Sequence, residues 1–470
     1  MKLRKSVTEI FLISTIISFT LTGCNSFLDI AAPKTELSAS IVFTNNSTAN
    51  AAITSIYARM STVNGTPFSN LTWLTGLSAD EFTNYATNFN VVAFYSNSLT
   101  PVNPNMAAYF WTPYYSIIYQ ANSIIEGLEK DSGVSNEVKK QIKGEALFIR
   151  AFYHFYLTNL FGDIPIITST DYKVNAILSR SIQVDVYKQI VTDLTDAKAM
   201  LNPEYIGSDG LTTGTDRVRP NLATAQALLA RVYLYTKQYD KAEKESSLVI
   251  ANSLYTLPDD LSTNFLKSSS EAIWQTQPVP NVTTTFADKF VLTGNPSTGL
   301  NRSIILSPSL MALFENYDNR ISHYMGTRTY QGNTIRFVRK HKLTSSNSSE
   351  YNMIMRLAEQ YLIRAEARLQ LQMIEDGIAD LNAIRRRANV AEYDYQTISN
   401  PLLLVEQERQ RELFAEGHRW FDLHRTDRID PVMTNVTPTK GGTWSSHSAL
   451  YPIPETERTN NPQLSQNTDY

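Results

Sequence analysis

The sequence predicts a mainly α fold, with helix pairs packed against an irregular, loop-rich half that holds a few short strands. Long stretches such as 137–160 and 181–201 repeat apolar residues every three or four positions, as a helix with one buried face requires. Ala230, Tyr233 and Ala242 stand at offsets 0, +3 and +12 around a tight turn, and Ala365 and Gly377 repeat the +12 spacing. Small residues at that spacing let two antiparallel helices approach closely, as in a helical solenoid. Between these units lie stretches rich in Asn, Ser and Thr whose aromatic residues follow neither a helical nor a strand period.

The first element is an address. Lys2, Arg4 and Lys5 precede an apolar run over 10–21, too short and too rich in Ser and Thr for a membrane span. It ends in Leu21-Thr22-Gly23-Cys24, which resembles a bacterial lipobox. Residues 1–23 therefore read as a signal peptide, with Cys24 as the lipid-bearing first residue of a single domain over 24–470. Cys24 is the only cysteine, so no disulfide forms within the chain. A net charge of −3, with 19% charged residues, gives no electrostatic case for nucleic acid.

Residues 47–61 form the first expected helix. The stretch 62–104 reads as a polar loop carrying Trp73, Phe82, Tyr85, Phe89, Phe94 and Tyr95. Helices return at 109–128, 137–160, 181–201, 221–250 (a pair) and 351–388 (a pair). The region 256–349 is mixed: a short strand at 272–277, a polar loop at 281–303 with Phe286 and Phe290, and a hairpin at 328–340 turning on Gln331-Gly332-Asn333. Residues 430–448 read as loop. His323, His341 and His447 are isolated, no histidine pair has ligand spacing, and no metal or cofactor is expected.

The densest pattern is ERQRELFAEGHRWFDLHRT at 408–426. Val405, Leu413, Trp420 and Leu423 make one apolar helical stripe, and Arg409 and Glu416 share it. Buried charges need partners, so each is expected to meet one from another helix. Glu408–Arg411, Glu416–Arg419 and Asp422–Arg425 are acid-before-base pairs three apart. No HExxH and no Glu-x-x-His of the di-iron kind occurs, so the expected role is a structural ion-pair network.

Several stretches together resemble the SusD/RagB family of Bacteroidetes lipoproteins. They are Cys24 with Phe27-Leu28-Asp29 and Pro33, then Glu145-Ala146 through Phe161-Gly162-Asp163-Ile164-Pro165, then Arg364-Ala365-Glu366-Ala367. In 408–425, Arg409, Glu412, Glu416-Gly417, Arg419-Trp420, Asp422-Leu423 and Arg425 fit, as does the C-terminal Leu450-Tyr451-Pro452-Ile453-Pro454 with Asn461-Pro462 and Tyr470. Thr468-Asp469 departs from the Pro-Gly common before the last Tyr. The resemblance implies about four tetratricopeptide-like helix pairs. It also implies an outer-membrane, surface-exposed lipoprotein that binds oligosaccharide and sits on a SusC-like TonB-dependent transporter.

The matched motifs are scaffold, so the binding residues must be argued physically. A sugar presents an apolar C–H face to a ring and a belt of hydroxyls to polar side chains. Trp73, Tyr85, Phe89 and Tyr95 with Asn84 and Asn88 supply both, and Phe286 from the second loop would complete the platform. Trp111, Trp274 and Trp420 lie in regular segments and read as core; Trp444 fits either role. A glycoside hydrolase would need two carboxylates about 5–10 Å apart across a sugar, and only Asp80-Glu81 is placed to tempt. Adjacent acids at a helix start usually cap it instead, so no enzyme activity is expected. A peptide-binding scaffold is the remaining alternative, since helical repeats often bind peptides.

Overall fold

The structure, a computed structural model, describes residues 42–61, 67–130, 133–279, 282–345 and 349–470. Cys24 and the leader motifs lie outside the described residues. The first half of the chain gives α1 Asn46–Met60, α2 Pro67–Ser78, β1 Phe82–Asn84, α3 Phe89–Tyr95, α4 Thr112–Glu129, α5 Asn136–Phe161 and α6 Gln183–Met200. Then follow α7 Leu222–Tyr235, α8 Tyr239–Ile250, β2 Ala272–Thr276, α9 Thr285–Phe290, β3 Ile304–Leu306, β4 Met325–Tyr330, β5 Asn333–Val338 and β6 Asn352–Arg356. The last quarter supplies α10 Leu357–Gln370, α11 Ile374–Arg387, α12 Pro401–Leu413, α13 Arg419–Arg425 and α14 Ile429–Thr439.

Neighbours in the helical half follow chain order: α4 on α5, α5 on α6, α6 on α7, α7 on α8, α8 on α10 and α10 on α11. The α7–α8 and α10–α11 pairs turn in the same way. Lys237 and Gln372 each take a left-handed φ, of 57° and 63°. The next amide then reaches back five residues, Gln238 to the Tyr233 carbonyl and Met373 to that of Arg368, both at 2.8 Å. Asn221 opens α7 with a reciprocal capping box to Thr224. Close approach explains the small residues. A Cβ added at Gly377 would stand 2.7 Å from Leu369 Cγ and 3.1 Å from the Ala365 carbonyl oxygen. Gly377→Val is therefore expected to cost about 1–3 kcal/mol, read as a lower urea midpoint with an unchanged slope.

The rest is three two-stranded antiparallel sheets, β1 with β3, β2 with β6 and β4 with β5. β2 and β6 are buried throughout. Gln331 and Gly332 close the β4–β5 hairpin with φ of 51° and 77°, the sense that suits a two-residue hairpin turn.

The structure corrects four expectations. The stretch 62–104 is not a continuous loop, since α2, β1 and α3 lie in it. Nor is 281–303, where Phe286 and Phe290 are buried on α9. Residues 429–439 form α14, which buries Ile429, Met433 and Thr437 at four-residue spacing. The signature at 408–426 is two helices rather than one. Ala415 and Gly417 take φ of 57° and 77° and break it between α12 and α13. Residues Phe43–Tyr470 form one compact unit.

Candidate functional site

Splitting the signature points its charges in two directions. From α12, Glu412 accepts from Arg320 at 3.2 Å, Arg356 at 2.7 Å and Arg387 at 2.5 Å. Beyond the break, Glu416 accepts from Arg356 twice at 2.7 Å and from Lys340 at 2.5 Å. So Glu416 pairs away from Arg419, which instead grips Asp80 through two bonds of 2.8 Å. On α13, Asp422 accepts from Arg409 Nε at 2.9 Å and Arg425 Nε at 2.8 Å. Burial alone would raise the Glu416 carboxyl, but Arg356 and Lys340 outweigh it and hold the group at about 2. Glu412 and Glu416 are buried, and their pairs tie α12 to the neighbouring elements.

The network anchors the segment that carries the candidate rings. Arg419 holds Asp80, and the Ala415 amide donates to Glu81 Oε1 at 3.2 Å, so both acids before β1 are committed. Lys440 Nζ, beyond α14, donates to the carbonyls of Leu77, Ser78 and Ala79 at the end of α2. Asn97 bonds the Ser78 carbonyl at 2.9 Å and is bonded in turn by Thr437 at 2.9 Å. The segment from α2 to α3 is thereby pinned at both ends.

That arrangement sorts the seven predicted glycan contacts. Trp73 is only 1% exposed, inside α2, with Lys289 Nζ 4.2 Å above its ring. Burial pushes that lysine down to about 8. Phe286 packs among Phe68, Phe290 and His341, with ring centres 5.0–6.2 Å away. Both rings are core, and in this structure neither can stack on a sugar. Tyr85, Asn84, Asn88, Phe89 and Tyr95 reach the surface at least in part. Tyr85 donates its amide to Ser303 at 2.7 Å and meets Tyr330 edge-on, with centroids 5.6 Å apart at 82°. Burial pushes the Tyr85 phenol up, and Tyr330 adds to the shift. Asn84 folds its side chain onto Ala86. Asn88 caps α3, accepting from the amides of Asn90 and Val91. Phe89 at the start of α3 is 78% exposed. Tyr95 lies under Lys440, whose Nζ is 5.2 Å from the ring. Trp444 is half-buried against Trp420, with its indole N–H on Asp430.

Tyr85 and Tyr330 thus form a partly exposed pair of rings, and Phe89 stands exposed four residues farther along the chain than Tyr85. Tyr330 was not among the sequence candidates. Its signal was its place three residues before Asn333 at the hairpin tip, on the strand face shared with Arg328. Rings that the fold leaves in water are a feature of binding surfaces.

Comparison with known proteins places the chain beside one group. Residues 26–234 match a family described as starch-binding and associating with the outer membrane. Residues 313–470 match the SusD family. SusD-like protein P38 of Formosa agariphila is 25% identical over 435 residues, covering 80% of this chain and 82% of its own. A SusD superfamily protein from Bacteroides vulgatus superposes with a TM-score of 0.76 at 21% identity, over 90% of this chain and 99% of the other. A laminarin-binding SusD-like protein does so with a TM-score of 0.71 at 21% identity, over 91% and 100%.

Proposed function

The chain belongs to the SusD/RagB family, and from that premise we propose that it binds oligosaccharide at the Tyr85–Tyr330–Phe89 surface and passes it to a SusC-like TonB-dependent transporter. In this reading Cys24 carries the lipid, and the protein sits on the exterior of the outer membrane. Among the described residues no helix is long and apolar enough to cross a membrane, which agrees with attachment through lipid.

The partly exposed Tyr85–Tyr330 pair, with the exposed ring of Phe89 on the same segment as Tyr85, is the observation that carries the reading. Leaving a phenylalanine side chain in water forgoes about 1.5–3 kcal/mol of burial, so a use in binding explains its place. A binding role without turnover is supported by the state of the two acids that precede β1. Asp80 is tied to Arg419 and Glu81 to the Ala415 amide, and both are buried, so neither is placed to reach a glycosidic bond.

Titration calorimetry on the soluble form, starting after Cys24, tests the proposal against a panel of oligosaccharides. Tyr85→Ala is expected to weaken binding about tenfold, the value of one ring contact. Trp73→Phe should lower the thermal midpoint while leaving affinity within about twofold, as befits a core ring. Release of reducing ends, or full affinity in Tyr85→Ala, would sink the reading at this surface.

A further inference from the structure

The charges around the candidate surface are of one sign. Three segments meet there: 82–125 with β1 and α3, 289–314 with β3, and 321–345 with the β4–β5 hairpin. Ser303 bonds the Tyr85 amide, Thr298 accepts from the Thr87 amide at 3.0 Å, and Tyr330 packs on Tyr85. Across all three segments there is no Asp or Glu, while Lys289, Arg302, Arg328, Arg336, Arg339, Lys340 and Lys342 are present. A chain with net charge −3 does not arrive at that by composition alone.

The neighbouring acids do not neutralise the patch. Asp80 is matched by Arg419, and Glu81, pushed up to about 8 by burial and by Asp80, is uncharged at neutral pH. Asp288, just before the second segment, accepts from Asn301 at 2.6 Å and from Arg302 at 3.4 Å. Lys340 turns inward to Glu416 and is not available.

The guanidiniums here are also under-committed. Elsewhere buried arginines meet carboxylates: Arg231 with Glu359, Arg356 with Glu416, Arg387 with Glu271 and Arg425 with Glu366. Arg328 makes one long bond, from Nη2 to the Leu292 carbonyl at 3.4 Å, and its buried Nε has no partner. Arg302 donates from Nη1 to Thr293 at 2.8 Å, and its buried Nε is likewise unmatched. Arg336 pairs with Thr327 across the ladder and so lies on the opposite face of the hairpin from Arg328. Arg328 and Tyr330 point to the same face of β4, two residues apart, so one ligand can meet the ring and the guanidinium together. Planar forks of this kind recognise carboxylate and sulfate oxygens in pairs, and a one-signed cleft draws such groups in.

We infer that the oligosaccharide bound here is anionic, with a carboxylate or sulfate group held by Arg328 and steered by Arg302 while its sugar ring lies on Tyr85 and Tyr330. This rests on the glycan-binding reading above and narrows its ligand.

The test is calorimetry on the soluble chain with three hexasaccharides: oligogalacturonate for carboxylate, a sulfated galactan for sulfate, and neutral laminarihexaose. Each is titrated at low and at high salt. At least one anionic sugar is expected to bind about tenfold or more tightly than the neutral one, and to weaken as salt rises. Whichever anion binds better identifies the source of the charge. Arg328→Gln should lose about ten- to a hundredfold for the anionic sugar and leave any neutral affinity unchanged, the loss of a charge-assisted bond. Circular dichroism and thermal midpoints confirm that the variant is folded, and Arg302→Gln gives a second, milder reading of the same effect. Equal affinity for neutral and anionic sugars, or full anionic affinity in Arg328→Gln, overturns the inference while leaving a glycan site in place. Failure of all three sugars to bind overturns both.

Discussion

Glu412→Gln is expected to lower the free energy of unfolding by about 3–5 kcal/mol, the cost of breaking a buried ion pair from one side. The change is nearly isosteric, so packing is not what it disturbs. It removes one negative charge from among three guanidiniums, those of Arg320, Arg356 and Arg387, each within 3.2 Å of its oxygens. None of the three can shed its proton or reach water, so the cluster retains positive charge without its match. The wild-type carboxyl reports the same balance. Burial would raise it, but Arg387, Arg356 and Arg320 together hold it below the usual carboxylate range. A depressed acid contributes stability that is present above its unfolded value near 4.5 and lost as pH falls through the folded one. Glu412 and Glu416 therefore resist acid, and Glu416 gives way only toward pH 2. Urea unfolding of Glu412→Gln at neutral pH measures the loss; a change within 1 kcal/mol would show that Glu416 and Glu408 suffice to hold the cluster.

Glu81→Gln works in the opposite sense. The Glu81 carboxyl is pushed up to about 8, chiefly by burial and then by Asp80 beside it. A raised acid contributes stability that is fully present below its unfolded value near 4.5 and is lost as pH climbs through the folded one. Wild-type protein should thus lose stability between about pH 5 and 8 at a slope approaching 1.36 kcal/mol per unit from this residue alone. Glutamine keeps the acceptor for the Ala415 amide and carries no titratable proton. The variant should be roughly 2–4 kcal/mol more stable than wild type at pH 8, with the difference shrinking toward pH 5. Parallel stability–pH curves for the two proteins would show that the burial of Glu81 does not shape the profile.

The helical half was legible because its cause is local. Ala230 and Ala242, then Ala365 and Gly377, mark where two helices must touch, and nothing distant modifies that need. α2 was illegible for a physical reason. Its Ser69, Asn70, Thr72, Thr75 and Ser78 are all buried, and a segment so polar reads as loop. Thr72 and Thr75 bond back to the carbonyls of Phe68 and Leu71, which lets them enter the core without an outside partner. Trp73 was read as exposed because it travels with them. The break in the signature was hidden at Ala415, whose left-handed backbone has no residue-type marker. Of the surface itself, Tyr85 and Phe89 could be found from the sequence. Tyr330 had only its place beside a hairpin turn as a signal, because its meeting with Tyr85 is made by a strand more than two hundred residues later in the chain.

The ties that fasten 77–97 also set an order of events as the chain emerges. Arg419 meets Asp80 across 339 residues, Thr437 meets Asn97 across 340, and Tyr451 meets Ser78 across 373. Contacts of such separation form late, after the helix pairs that need only neighbours. The repeats can assemble while the chain is still being delivered, whereas the segment bearing Tyr85 and Phe89 waits for the last residues to arrive. A chain cut short before Trp420 would keep the sequence of its ring-bearing segment and lose the means to hold it in place. The candidate surface is thereby held only on chains that extend past Tyr451.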